Sequence, residues 1–146
     1  MKKFYTLIVF FNLSLLLAQQ PGDLDISFGT NGKVVANFSN ASFNVKSQAL
    51  QTDGKLILVG EINSGLSTKG FVFRLNTDGS LDTSFNTTGR VVHTFVEKFE
   101  VIKLQSDGKI VVGGTFNNDV AIVRYNSNGT LDTSFNSTGI RRCGST

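Results

Sequence analysis

An all-β fold assembled from repeated four-stranded units is what this 146-residue sequence predicts, and three observations predict it. The first is self-similarity. Gly22-Asp23-Leu24-Asp25-Ile26-Ser27-Phe28 returns as Gly79-Ser80-Leu81-Asp82-Thr83-Ser84-Phe85 and again as Gly129-Thr130-Leu131-Asp132-Thr133-Ser134-Phe135. Asp25 and Asp82 are 57 residues apart, and Asp82 and Asp132 are 50 apart. The second observation is order: between these markers, Leu50 to Gly60 recurs as Leu104 to Gly114, and Phe73 to Gly79 recurs as Val123 to Gly129. The third is the length of the apolar runs, which are short and bounded by Gly, Asn, Asp and Ser, with no helical period after residue 18.

Residues 1–18 stand apart. Lys2 and Lys3 precede a mostly apolar stretch from Phe4 to Leu17 and a small residue, Ala18. That stretch is short of the roughly 20 apolar residues a membrane helix requires, and no stop-transfer pattern follows, so it reads as a cleaved secretory signal. Gln19 in place of a cysteine argues against a lipid-anchored form. Removing this segment takes the formal charge from +3 to +1, which abolishes most of the basic balance and leaves no basic run that would mark a nucleic-acid surface.

The elements then follow in order. The first unit carries strand-like runs at residues 33–38, 43–50, 55–62 and 70–76; the second carries them at 90–96, 100–105, 109–116 and 119–126. Asp53-Gly54 and Asp107-Gly108 separate the second run from the third, and Asp-Gly between apolar runs predicts a hairpin because its turn requires positive φ. Leu56-Ile57-Leu58-Val59 and Ile110-Val111-Val112 are apolar on both faces, as expected where one sheet packs on another. The first run of each unit is more polar and suits an outer strand. After Gly139 the pattern requires a basic residue and two valines, as at Lys33-Val34-Val35 and Arg90-Val91-Val92. The sequence instead reads Ile140-Arg141-Arg142-Cys143, which predicts a disrupted third unit from a longer reading frame.

Periods of about 40–50 residues built from short strands point to propeller blades. The expected division is a signal peptide at 1–18, a first blade at 19–78, a second at 79–128 and an incomplete third at 129–146. The joint markers Gly-x-Leu-Asp-x-Ser-Phe, Asp-Gly-Lys before an apolar strand, and Arg-Leu/Tyr-Asn-x-Asp/Asn-Gly resemble the delta-60 repeat, a β-propeller-type repeat of secreted and surface-associated bacterial proteins. The resemblance covers residues 20–139. It implies secretion and a propeller-like scaffold, and no particular activity.

The repeated residues read as structure rather than chemistry. Asp25, Asp82 and Asp132 are expected to bond nearby backbone in tight turns, and Phe28, Phe85 and Phe135 to fill blade junctions, each ring burying on the order of 200 Å². Stacking of these rings on a carbohydrate is the sharper alternative. Asn76-x-Asp78-Gly79-x-x-Asp82 and Asn126-x-Asn128-Gly129-x-x-Asp132 have the alternating oxygens of a calcium loop. The twelfth positions, however, are Thr87 and Ser137, where such a loop needs a bidentate Glu. Asp53 and Asp107 occupy the same place in successive units and so do two copies of one structural task rather than forming a catalytic pair. His93 has no copy in the first unit and no nucleophile beside it in sequence, while Cys143 is a lone thiol in the divergent tail.

The expectation is therefore a non-enzymatic extracellular or cell-surface scaffold, without cofactor or metal. Its partner would be a protein or a surface glycan, with no nucleic acid and no membrane span. Repeat units leave a face open until a neighbour covers it, so further repeats or self-association are expected. A carbohydrate-active propeller would instead need non-repeated acids, for which Glu61, Glu97 and Glu100 are the candidates.

Overall fold

The computed structural model describes residues 21–35, 41–65 and 67–144. The signal-peptide reading of residues 1–18 lies outside them. Among the described residues, eight strands form two four-stranded antiparallel sheets, with a single-turn 3-10 segment at Phe85–Thr87. The first sheet orders β1 (Ser42–Leu50), β2 (Leu56–Asn63), β3 (Thr68–Leu75) and β4 (Arg90–Val92); the second orders β5 (Lys98–Leu104), β6 (Ile110–Phe116), β7 (Asp119–Tyr125) and β8 (Ile140–Cys143). This is the predicted all-β class, and it is consistent with a partial β-propeller of two blades.

Local chemistry accounts for the meander. β1 joins β2, and β5 joins β6, through turns in which Gly54 and Gly108 both hold φ +82°. A side chain there would be strained, which is why glycine follows the aspartate. A bulge interrupts the β1–β2 ladder between Val45 and Ser47, and its counterpart lies between Phe99 and Val101.

The sheets pack face to face. Ile57, Val59 and Val72 of the first sheet and Phe99, Ile110, Val112, Val123 and Tyr125 of the second form one fully buried cluster. Alternation along each strand puts Leu58 and Phe73 on the other face of the first sheet, beside Phe43, Val45 and Leu75. The aromatic rings of Phe43, Phe71 and Phe73 contact one another at that side, with centroids 4.5–5.7 Å apart.

The strand reading needs one correction of phase. Residues 90–96 were expected to open the second unit. Instead Arg90–Val92 pair with Phe71–Phe73 and close the first sheet. Ile140–Cys143, expected to be an aberrant end, pair with Val120–Val123 and close the second. Of the run at 33–38, Lys33 makes only an isolated bridge to Thr30, Val34 and Val35 lie outside any strand, and residues 36–38 are not among those described.

The connector explains the shift. After β3, Leu81 bridges back to Leu75, the Asp82 N–H donates to the Arg74 carbonyl, and the Arg74 N–H donates to the Gly89 carbonyl. The chain has thereby folded back along β3 by the time it reaches Arg90. The same bonds recur at Leu131, Asp132, Arg124 and Gly139, which delivers Ile140 beside β7. Each sheet thus takes its fourth strand from beyond the Gly-x-Leu-Asp marker.

Candidate functional site

The marker residues assemble into a latch at the Asp-Gly end of the sheets. Asp82 Oδ1 accepts hydrogen bonds from the Ser84 N–H at 3.0 Å and the Ser84 hydroxyl at 2.6 Å. Its Oδ2 accepts from Arg74 Nε at 2.7 Å and Lys55 Nζ at 2.8 Å. Burial alone would raise the Asp82 pKa, but the bonds from Lys55 and Ser84 and the Arg74 charge outweigh it and hold the carboxyl well below the usual carboxylate range.

The Arg74 guanidinium lies 4.7 Å above the ring of Phe85, which is fully buried. The second unit copies this. Asp132 is bonded by Ser134 (hydroxyl 2.7 Å), Arg124 Nε (2.7 Å) and Lys109 Nζ (3.2 Å), and Arg124 lies 4.8 Å above Phe135. Hydrogen bonds from Ser134, then from Lys109 and Arg124, outweigh burial and depress its pKa as well.

The latch grips the next blade. Arg74 Nη1 donates to the Ser127 carbonyl at 2.7 Å, and the Asn86 N–H donates to the Asn128 carbonyl at 2.7 Å. A Cβ on Gly129 would sit 2.9 Å from the Phe85 ring, so only glycine admits this approach. One unit earlier, the Gly29 N–H donates to the Asp78 carbonyl at 2.7 Å and Phe28 lies against Gly79. Asp25 keeps the two bonds from Ser27, which lower its pKa, but eight positions before it the sequence has a leucine where Arg74 and Arg124 precede the later aspartates.

The remaining candidates fall into place around this latch. Asp53 and Asp107 sit in exposed hairpin turns of separate sheets, each accepting a backbone bond from the lysine two residues on, Lys55 at 3.2 Å and Lys109 at 3.1 Å. In the calcium-loop pattern, Asp78 accepts from the Ser80 N–H and hydroxyl, and Asn128 from those of Thr130. Asp82 and Asp132 are already neutralised by Lys and Arg. Thr87 and Ser137 take positive φ in the connector. Among the described residues, no three or more of His, Cys, Asp and Glu are grouped to hold a metal ion.

At the opposite end of the sheets, the non-repeated glutamates do converge. Glu100 lies 2.9 Å from Lys98 and raises its pKa, with Glu61 and Glu97 adding to the effect. Glu61 also meets Lys46 at 3.4 Å and Asn44 at 2.9 Å, while Glu97 accepts from the Asn117 N–H at 3.3 Å. These are partly exposed ion pairs of small stabilising value.

His93 is the residue that sequence reasoning missed. It is buried between the sheets, hydrogen-bonded to the Tyr125 hydroxyl, with Phe95 and Phe99 against its ring at 4.9 and 5.4 Å. Its lack of a copy in the first unit was the available signal, since it fills a gap opposite Tyr125, where the first unit has Leu75. Burial lowers its pKa to about 4, and burial raises that of Tyr125 well above its ordinary value.

Because the folded pKa of His93 lies below the ordinary 6.5, the unfolded chain binds the proton first. Stability contributed by neutral His93 is complete above pH 6.5 and declines toward pH 4, by on the order of 3 kcal/mol. Urea melts of wild type and His93→Gln between pH 8 and 4 check this: the wild-type curve falls through that window and the variant's is flatter. Cys143 is exposed at the end of β8.

With this geometry in view, residues 51–85 and 105–135 match the family described as a domain of unknown function (DUF5122) β-propeller. Each matched segment begins just before an Asp-Gly turn and ends on a marker phenylalanine, Phe85 or Phe135, so the matched unit is the one that builds the latch. No curated protein and no solved structure matches the chain.

Proposed function

We propose that this β-propeller-type repeat chain is a non-enzymatic scaffold, of the delta-60 kind, that is exported and presents its loops and blade faces to a protein or a surface glycan. The observation that supports this best is the use of its conserved-in-repeat chemistry: Asp82 and Asp132 are bonded in the same way to Arg, Lys and Ser, and Phe85 is buried where a stacking aromatic would have to be open. The Asp82 and Phe85 set holds one blade to the next, and the Asp132 set repeats the same bonding within its own unit. Asp82 and Asp132 have one carboxylate oxygen taken by Arg and Lys and the other by Ser of the protein itself, which also disfavours calcium as the ligand of these turns.

The carbohydrate-active alternative draws on Glu61, Glu97 and Glu100 around Lys98. Incubation of the chain lacking residues 1–18 with a panel of aryl glycosides decides between the two. Background hydrolysis, unchanged in Glu61→Gln, Glu97→Gln and Glu100→Gln, is the expected result. Saturable hydrolysis lost in one of these variants would replace the scaffold by an enzyme. Export is tested by fusing residues 1–18 to an alkaline phosphatase that is active only outside the cytoplasm: activity is expected, and retention of an inactive fusion in the cytoplasm would overturn it.

A further inference from the structure

The Asp-x-Ser-Phe marker occurs three times in the sequence, and among the described residues no further sheet lies against its third copy. Arg124 makes the bonds to Asp132 and Ser134 that Arg74 makes to Asp82 and Ser84. Among the described residues, however, no carbonyl stands before its guanidinium as Ser127 stands before Arg74. The Arg124 side chain is 21% exposed against 8% for Arg74, and Phe135 is half-buried where Phe85 is fully buried. The connector is otherwise the same: Asn136 has φ +50° where Asn86 has +47°, so its N–H is presented as that of Asn86 is.

We propose that this third latch binds the Asn76–Gly79 turn of a second copy of the chain, in the way the second latch binds Asn126–Gly129. The inference rests on the scaffold reading and names its partner. Three observations carry it. The turn is the same object in both places, closed by Gly79 N–H to Asn76 O at 3.0 Å and Gly129 N–H to Asn126 O at 2.9 Å, with φ of +82° and +87° at the glycines.

The present occupant of the Asn76–Gly79 turn is the weak copy of the latch. Among the described residues no guanidinium stands over the Phe28 ring as Arg74 stands over Phe85, and the Phe28 segment is largely exposed. Exchange of Phe28 for a second copy's Phe135 therefore adds an Arg–carbonyl bond and a guanidinium over the ring.

The sheet faces agree as well. Val45, Leu50 and Leu58 correspond to Phe99, Leu104 and Val112, which pack against the first sheet, yet Val45 and Leu50 are 48% and 69% exposed. On the other side, Val111 and Ile122 of the second sheet correspond to Ile57 and Val72 and are only partly covered. One open face thus repeats the donor side of the existing interface and the other repeats its acceptor side. Such an interface is head-to-tail and closes into a ring when its rotation permits. Closed propellers hold about four to eight blades, so two to four copies of the two described sheets would make up one.

The test uses the chain without residues 1–18 and with Cys143→Ser. Asn136→Cys and Asp78→Cys are made separately, mixed and oxidised with copper phenanthroline. A disulfide between the two variants, with none formed by either alone, is the expected result. Light scattering on the unsubstituted chain is expected to give two to four times the monomer mass. Phe135→Ala should weaken that association by about thirtyfold or more, as loss of an aromatic anchor does, with an unchanged circular-dichroism spectrum. Cross-links of position 136 to itself, or association untouched by Phe135→Ala, would overturn the proposed surface while leaving the scaffold intact. A strictly monomeric chain would overturn it as well, and the glycoside assay would still decide the scaffold reading independently.

Discussion

Phe85→Ala is expected to destabilise the chain by about 4 kcal/mol, the upper part of what large-to-small core changes produce. Phe28→Ala and Phe135→Ala should each cost about 1 kcal/mol, although all three rings occupy the same position in the sequence repeat. The difference comes from what covers them. Phe85 is fully buried, lies under Arg74 and fills the space over Gly129, so its loss opens a cavity at the junction of both sheets. Phe28 and Phe135 are only partly covered in the isolated chain. Urea unfolding of the three variants at pH 7.5, at concentrations where the chain is monomeric, measures this order directly, and equal losses would mean that the ring stabilises its own turn rather than the junction.

Asp82→Ala is the second large effect, about 3 kcal/mol. It removes the anion from a pair in which the Arg74 side chain is itself 8% exposed, leaving two neighbouring cations without a counter-charge. Asp53→Ala, in an exposed turn of similar appearance in sequence, should stay within about 0.5 kcal/mol. Asp132→Ala should fall between them, because Arg124 is more exposed than Arg74 and screening reduces its share.

The same carboxylates set the acid limit. Their folded pKa values are depressed, so the stability they contribute is present above the ordinary carboxylate value of 3.8 and is lost as the pH falls below it. That loss follows the His93 loss between pH 6.5 and 4, so acid unfolding proceeds through two successive windows. Denaturant melts of Asp82→Asn at pH 7.5 and pH 3 separate them: the deficit seen at pH 7.5 shrinks at pH 3, where the wild type has begun to lose the same interaction.

Much of the architecture was written in short-range chemistry. Asp53-Gly54 and Asp107-Gly108 announce their hairpins because glycine accepts φ +82° there, and the runs on either side are long enough to read. The fourth strands were not legible in the same way. Arg90-Val91-Val92 has the same composition whether it pairs backward with β3 or forward with β5. The choice is made by the Asp82–Arg74 and Arg74–Gly89 backbone bonds, which fold the connector back. Ile140–Cys143 looked unlike a strand because Arg141 and Arg142 replace the two valines. Only Ile140 needs to be apolar, since it alone of the four is packed against the core.

The candidate site was half legible. The serine bonds to Asp82 and Asp132 follow from local turn chemistry, but their cations come from Arg74, Lys55, Arg124 and Lys109 on other strands. The recurrence of one Arg and one Lys with each Asp was the sequence signal for that pairing. Bonds across the junction, from Arg74 to Ser127 and from Asn86 to Asn128, depend on how two sheets stack and had no signature of their own.

Each blade borrows its fourth strand from beyond the next Gly-x-Leu-Asp marker, and the borrowed connector of the first sheet latches it to the second. Cross-strand proton contacts measured by nuclear Overhauser spectroscopy on isotope-labelled chain test this most directly. The account predicts contacts of Val91 with Val72 and of Ile140 with Val123. Contacts of Val91 with the Lys98–Leu104 strand instead, and none between Ile140 and Val123, would contradict it, because each sequence repeat would then fold as its own sheet.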